Sequence, residues 1–101
     1  MAGVVVITGA SRGIGAAAAR IAAREGFAVC LNASRSIDAA REVAAGIVAA
    51  GGRAIAVRAD VSRKDEVAAL FAACDRELGA PTALINNAAM VGEQRGIGDV
   101  D

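Results

Sequence analysis

The sequence predicts an α/β fold, a doubly wound parallel sheet. Three observations carry that reading. Short runs rich in apolar residues, at Val4 to Thr8, Ala28 to Asn32, Arg53 to Arg58 and Thr82 to Asn86, alternate with segments whose apolar residues recur at helical spacing. The links between them are short, and the order βαβαβαβ then indicates parallel strands joined by right-handed crossovers. A glycine-rich turn, Thr8-Gly9-Ala10-Ser11-Arg12-Gly13-Ile14-Gly15, joins the first run to the first helical segment.

The first strand is expected over Val4 to Thr8 and the first helix over Gly13 to Arg24. Ile14, Ala17, Ala18 and Ile21 share one face of that helix, with Arg20, Arg24 and Glu25 off it. Gly26 stands where a helix-stopping residue belongs. The second strand, Ala28 to Asn32, is continuously apolar until its last residue, as a strand covered on both faces should be. Ser36 is placed to cap a second helix, with Asp38 in its first turn. Ile37, Ala40, Val43, Ala44, Ile47 and Val48 then recur at helical spacing up to Gly51-Gly52. After the third strand and Asp60-Val61, Ser62 and Asp65 resemble a capping box. Val67, Leu70, Phe71, Cys74 and Leu78 trace the apolar side of a third helix that ends at Gly79-Ala80-Pro81. The fourth strand runs into Asn87-Ala88-Ala89, and the residues from Met90 to Asp101 read as loop.

Composition narrows the function. The chain of 101 residues makes one domain at most. Its 55% apolar content is inflated by 27 alanines against two aromatic residues, Phe27 and Phe71, so the core is expected to be built from small aliphatic side chains. Eleven basic and eleven acidic residues balance without a basic block, which argues against nucleic acid or an anionic membrane as partner. No apolar stretch approaches the roughly 20 residues of a membrane span, and the first residues lack the features of a signal peptide; a cytoplasmic location is expected. Cys30 and Cys74 fall on apolar positions and are expected to be buried and reduced rather than bridged. With no histidine in the chain, a protein metal site is not expected.

The glycine turn carries the chemistry. Strand, glycine turn and helix N-terminus in succession form a phosphate-binding element, because the first N–H groups of a helix have no partner within it. Gly9 permits a tight turn, Gly13 close approach of backbone to a pyrophosphate, and Gly15 close packing of helix on strand. The spacing is G-x-x-x-G-x-G rather than G-x-G-x-x-G. A plain glycine-rich strand-to-helix turn is the alternative to dinucleotide binding.

Thr8 to Gly15, Asp60-Val61 and Asn86-Asn87-Ala88-Ala89, in this order, closely resemble the short-chain dehydrogenase/reductase family, whose marks are a T-G-x-x-x-G-I-G turn, an aspartate after strand three and an N-N-A-G motif after strand four. The resemblance covers essentially all of residues 1–101 and implies the N-terminal part of a Rossmann domain, its first four βα units, without the catalytic C-terminal part. It implies that Gly9, Gly13 and Gly15 shape a pyrophosphate site lined by Ser11 and Ile14. It implies that Asp60 accepts from an adenine amino group while the Val61 backbone pairs with the ring. Asn87 and Ala88 would border the ribose next to the nicotinamide, and Asn86 would tie strand four to its neighbours. Asp60 as a loop or cap residue, and Asn86-Asn87 as turn chemistry, are the alternatives.

NAD enzymes of this fold place a carboxylate beyond strand two to hold the ribose 2′-hydroxyl. Here that region reads Asn32-Ala33-Ser34-Arg35, with no acid. A 2′-phosphate needs cations and hydroxyls, which Arg12, Ser34 and Arg35 supply, so NADP is expected over NAD, unless both arginines are solvated surface charge. Ala89 departs from the family's glycine and adds a Cβ beside the ribose.

The resemblance further implies hydride transfer between nicotinamide and an alcohol or carbonyl substrate, in a full-length form that is often a homo-oligomer. The tyrosine and lysine that perform the family's proton transfer are missing: the chain has no tyrosine, and its one lysine, Lys64, precedes strand four. The expectation is a cofactor-binding fragment inactive alone. The alternatives are a stand-alone nucleotide-binding or regulatory module, or a piece without function.

In the family's full fold later elements pair with strand four. Without them Ala83-Leu84-Ile85 forms a bare apolar edge, and the 101-residue chain is expected to self-associate or dissolve poorly. Sedimentation at high concentration checks this; a clean monomer with a sharp cooperative melt would count against it.

Overall fold

The structure, a computed structural model, describes residues 2–87, so the loop expected from Met90 onward lies outside it. Four parallel strands, β1 (Val4–Thr8), β2 (Ala28–Ala33), β3 (Ala54–Arg58) and β4 (Ala83–Asn86), alternate with helices α1 (Gly13–Arg24), α2 (Ile37–Ala49) and α3 (Lys64–Glu77). The order across the sheet is β3-β2-β1-β4. The chain therefore winds outward from β1 to β3, then crosses back to the other side of β1. Among the described residues no helix is long and apolar enough to cross a membrane.

Alternation along β1 and β2 divides the core. Val5, Ile7, Val29 and Leu31 face α1 and α2, where they meet Ala16, Ala19, Ala40, Val43, Ala44 and Ile47. Val4, Val6, Ala28 and Cys30 face the other way, onto Leu70 and Cys74 of α3. Helices thus cover both faces, which makes the sheet doubly wound. Each fully buried side chain such as Ile7 or Leu31 contributes about 1.5–3 kcal/mol through removal of apolar area from water. β1 and β2 are buried throughout, whereas all four residues of β4 are exposed.

Three local expectations are corrected. The face of α1 that packs on the sheet is Gly15, Ala16 and Ala19, while Ile14 and Ile21 are 73% and 52% exposed. Helical spacing fits either stripe, and the small one is chosen because α1 lies too close to the sheet to admit isoleucine. The start of α3 is also different. Ser62 forms no capping box; its N–H and hydroxyl both donate to Asp60 Oδ1, at 3.0 and 2.7 Å. The reach back from the helix comes instead from Glu66, whose Oε1 accepts the Asp60 N–H at 2.7 Å. Ser36 precedes α2 as expected, but its side chain caps nothing and accepts from Arg12. α1 does stop at Gly26, where the Gly26 and Phe27 N–H groups turn back to the carbonyls of Ala23 and Ala22.

Cys30 and Cys74 are both free and fully buried. Burial, with the neighbouring Cys74 sulfur, pushes the Cys30 thiol from 9.0 up to about 12. Cys74 is also raised, chiefly by burial, and lies 3.7 Å from the Gly79 carbonyl. Because the folded pKa is raised, this stability is present below the unfolded value and is lost as pH climbs from about 9 toward 12. With no tyrosine and one lysine, few other groups titrate there. Urea midpoints are therefore expected to fall steadily above pH 9, and Cys30→Ala to flatten that fall. Neither thiol should react with Ellman's reagent before denaturant is added.

Candidate functional site

The sheet reverses its winding between β1 and β4, and ligands of open α/β sheets bind outside the carboxyl ends of the strands at such a point. The sequence-predicted residues follow the ends of the four strands. Gly9, Ser11, Arg12, Gly13, Ile14 and Gly15 follow β1, Ser34 and Arg35 follow β2, Asp60 and Val61 follow β3, and Asn87 follows β4. Ala88 and Ala89 lie outside the described residues.

The turn after β1 is built by close contact. Gly9 and Gly13 both have φ of 62°, in the left-handed region that favours glycine. Gly15 meets a different demand. A Cβ there would collide with the Gly9 carbonyl oxygen and stand 2.9 Å from Ala10 Cα, both unyielding backbone. At Gly13 nothing lies within 4 Å of the added carbon, so the turn is open on that side. The Ala10 N–H donates to the Asn32 carbonyl at 2.8 Å, and Asn87 Nδ2 donates to the Gly9 carbonyl at 3.0 Å. The turn is thereby held from β2 and β4 as well as from its own helix. Asn86 accepts from Thr8 Oγ1 at 3.0 Å and ties β4 to β1, as expected of it.

The start of α1 departs from the other two helices. α2 and α3 carry acids in their first turns, Asp38 and then Asp65 with Glu66, which complement the helix dipole. α1 has none, and its N-cap residue is Arg12, in extended conformation without a side-chain cap. The first helical hydrogen bond closes only at the Ala16 N–H, to the Arg12 carbonyl at 3.4 Å. The N–H groups of Gly13, Ile14 and Gly15 precede that bond, at a positive helix end with a cation beside it. An anion is the species such a place stabilises.

The turn after β2 is positively charged. Arg12 Nη2 donates to Ser36 Oγ at 2.7 Å, and Arg58 Nε donates to the Ser34 carbonyl at 3.1 Å. Asp60 is held below the usual carboxylate range, first by the Ser62 hydroxyl and N–H, with Arg63 and Arg35 adding attraction. Its Oδ1 is thus committed to its own loop. Val61 is half-buried against the α3 side of the core.

Two contributors escaped sequence reasoning. Asn32, only 2% exposed, donates through Nδ2 to the carbonyls of Val57 and Ala59 at 3.3 and 3.1 Å, fixing the end of β3 from which Asp60 projects. A polar residue closing an apolar strand was its signal. Arg58, the last residue of β3, carries no mark in the sequence pattern beyond its place at the strand end.

The family model described as short chain dehydrogenase matches residues 3–100. The chain belongs to the short-chain dehydrogenase family. It is 41% identical to the uncharacterized oxidoreductase YgfF of Escherichia coli, over 87% of this chain and 36% of that protein. It is 46% identical to the L-rhamnose 1-dehydrogenase (NAD(P)(+)) of Azotobacter vinelandii, over 83% of this chain and 34% of that one. The structure of a short-chain dehydrogenase/reductase from Serratia marcescens superposes with a TM-score of 0.82 at 34% identity, covering 87% of this chain and 36% of the other. The chain thus spans about a third of the length of these short-chain dehydrogenase relatives.

Substitution separates the roles of the glycines. Gly15→Ala is expected to cost about 1–3 kcal/mol, because backbone must move to relieve the overlap. Gly13→Ala meets no atom and pays only for its positive φ, about 1–2 kcal/mol. Urea unfolding of the two variants checks the order. A Gly15→Ala chain as stable as the parent would contradict the packing described.

Proposed function

We propose that residues 1–101 form the cofactor-binding part of an NADP(H)-dependent oxidoreductase. The observation that carries the proposal is the start of α1: free N–H groups, no acid in the first turn and an arginine at the N-cap, behind a glycine turn that is open in front of Gly13. These features fit a nicotinamide dinucleotide, whose pyrophosphate would be cradled by Gly9, Ser11, Gly13, Ile14 and Gly15. Arg12, Ser34 and Arg35 would hold a 2′-phosphate beyond β2, where no carboxylate stands ready for a free hydroxyl. Asp60, with Oδ2 outside its bonds to Ser62, would accept from the adenine amino group, and the Val61 backbone would border the ring. Asn87 and the adjoining Ala88 and Ala89 would border the nicotinamide ribose.

When bound, the cofactor supplies hydride exchange with an alcohol or carbonyl carbon. The residues of this chain bind and orient it; proton transfer at the substrate oxygen needs a group this chain does not offer. Segment 1–101 alone is therefore inactive in this reading, and a small-molecule substrate is engaged elsewhere in a longer protein. The names of the relatives support the oxidoreductase reading, and that of the Azotobacter enzyme is compatible with either nicotinamide cofactor.

Titration with NADP+ and NAD+ tests the proposal. The chain is expected to prefer NADP+ by roughly tenfold or more, with affinity falling as salt rises. Arg35→Asp, which installs the missing carboxylate, should reverse the preference. Failure to bind either dinucleotide would overturn the reading.

A further inference from the structure

Three arginines gather at the end of β2 with little acid to balance them. Arg12 bonds Ser36, Arg58 bonds the Ser34 carbonyl, and Arg35 lies on the turn between those two serines. The ion pairs among the described residues lie elsewhere: Arg41 with Asp38, Arg63 with Asp65 and Glu66, and Arg76 with Glu77. Asp60 feels the attraction of Arg35, and it is already engaged with Ser62. In a chain whose formal charge is zero, this is a local positive excess.

Arg58 is the member of this group that the sequence pattern did not single out. The parallel register sets it beside Ala33, one residue before Ser34. It follows Ala54 and Ala56 at strand period, so it belongs to the sheet face that carries α1 and α2. Its guanidinium spends Nε on the Ser34 carbonyl and keeps its two terminal nitrogens as donors in a fixed fork, the geometry that matches a phosphate.

We propose that Arg58 is a specificity-determining residue for a nucleotide carrying a ribose 2′-phosphate: it pins the Ser34 carbonyl toward β3 and offers its remaining donors to that phosphate. The inference rests on the NADP reading above and adds a residue to it. Arg12 approaches the turn from the α1 side and Arg58 from the β3 side, so a phosphomonoester over Ser34–Ser36 meets cations on both flanks. A dinucleotide with a free 2′-hydroxyl leaves this charge unanswered, so the discrimination acts on the phosphate and not on the rest of the molecule.

The test is titration of the chain with 2′,5′-ADP and 5′-AMP, which differ only in the 2′-phosphate. The parent chain is expected to favour 2′,5′-ADP. Arg58→Met, which keeps the stem and removes the charge, should weaken 2′,5′-ADP by roughly tenfold and leave 5′-AMP within about twofold. Arg58→Lys, which keeps charge but not the fork, should fall between the two. A parent that discriminates together with an Arg58→Met chain that discriminates equally overturns this proposal alone. Equal loss of both ligands in Arg58→Met overturns it in favour of a purely structural role. A parent that does not discriminate overturns the NADP reading and this proposal with it.

Discussion

The Gly9 carbonyl is the point on which the rest of the molecule hangs. Gly15 presses on it from the first turn of α1, and Asn87 donates to it from beyond β4. One residue later the Ala10 N–H reaches the end of β2. A single peptide group thus registers the first helix, the central strand and both neighbouring strands against one another. Because the contact leaves no room for a Cβ, the first turns of α1 lie close to the sheet. The alanine side of the helix can then pack and the isoleucine side cannot. Ala16 and Ala19 on that buried face suit both the close approach and the helix, alanine being the best helix former.

The same constraint exposes the chemistry. Bringing α1 down onto β1 aims its first N–H groups past the strand ends instead of into the core. The protein leaves them without the acids that it grants to α2 and α3. Leaving a helix start uncompensated and adding an arginine to it costs a few tenths to about 1 kcal/mol in the free chain. An anionic ligand bound there would offset that cost and so couple fold stability to occupancy. The loops after β2 and β3 are treated differently. Asn32 and Glu66 tie down the loop after β3, and Arg12 and Arg58 reach into the turn after β2, so side-chain hydrogen bonds link the segments around the helix start.

Much of this was legible in the sequence. β1 and α1 begin and end where strand runs and helical periods place them, because glycine marks both ends of the helix and the apolar runs have strand length. The other strands shift by a residue at one end. Arg53 and Thr82 still form ladder bonds just outside their strands, to Val29 and Val4. What was not legible depends on distance in space. The choice between two stripes of α1 needs the Gly9–Gly15 approach, which periodicity does not encode. The pattern Asp60-Val61-Ser62-Arg63-Lys64-Asp65-Glu66 admits two local hydrogen-bond schemes, and the one adopted turns on Glu66 reaching six residues back. Asn32 and Arg58 act across strands, on carbonyls that are 25 to 27 and 24 residues away in the chain.

The two edges of the sheet differ in a way that bears on how the domain works. β3 is preceded by Arg53 and ends on Arg58, charges that oppose pairing with another strand. β4 has no charged residue from Pro81 to Asn87, and Leu84 and Ile85 are 52% and 38% exposed. Its inner edge nevertheless bears directly on the site, through Thr8–Asn86 and Asn87–Gly9. Whatever lies against the outer edge of β4 therefore acts on the glycine turn through one strand. Occupancy of the turn should in return order that strand, since the coupling between two sites is reciprocal. If the glycine turn grips a dinucleotide as proposed, that grip and the finish of the sheet are one problem, joined at Asn87.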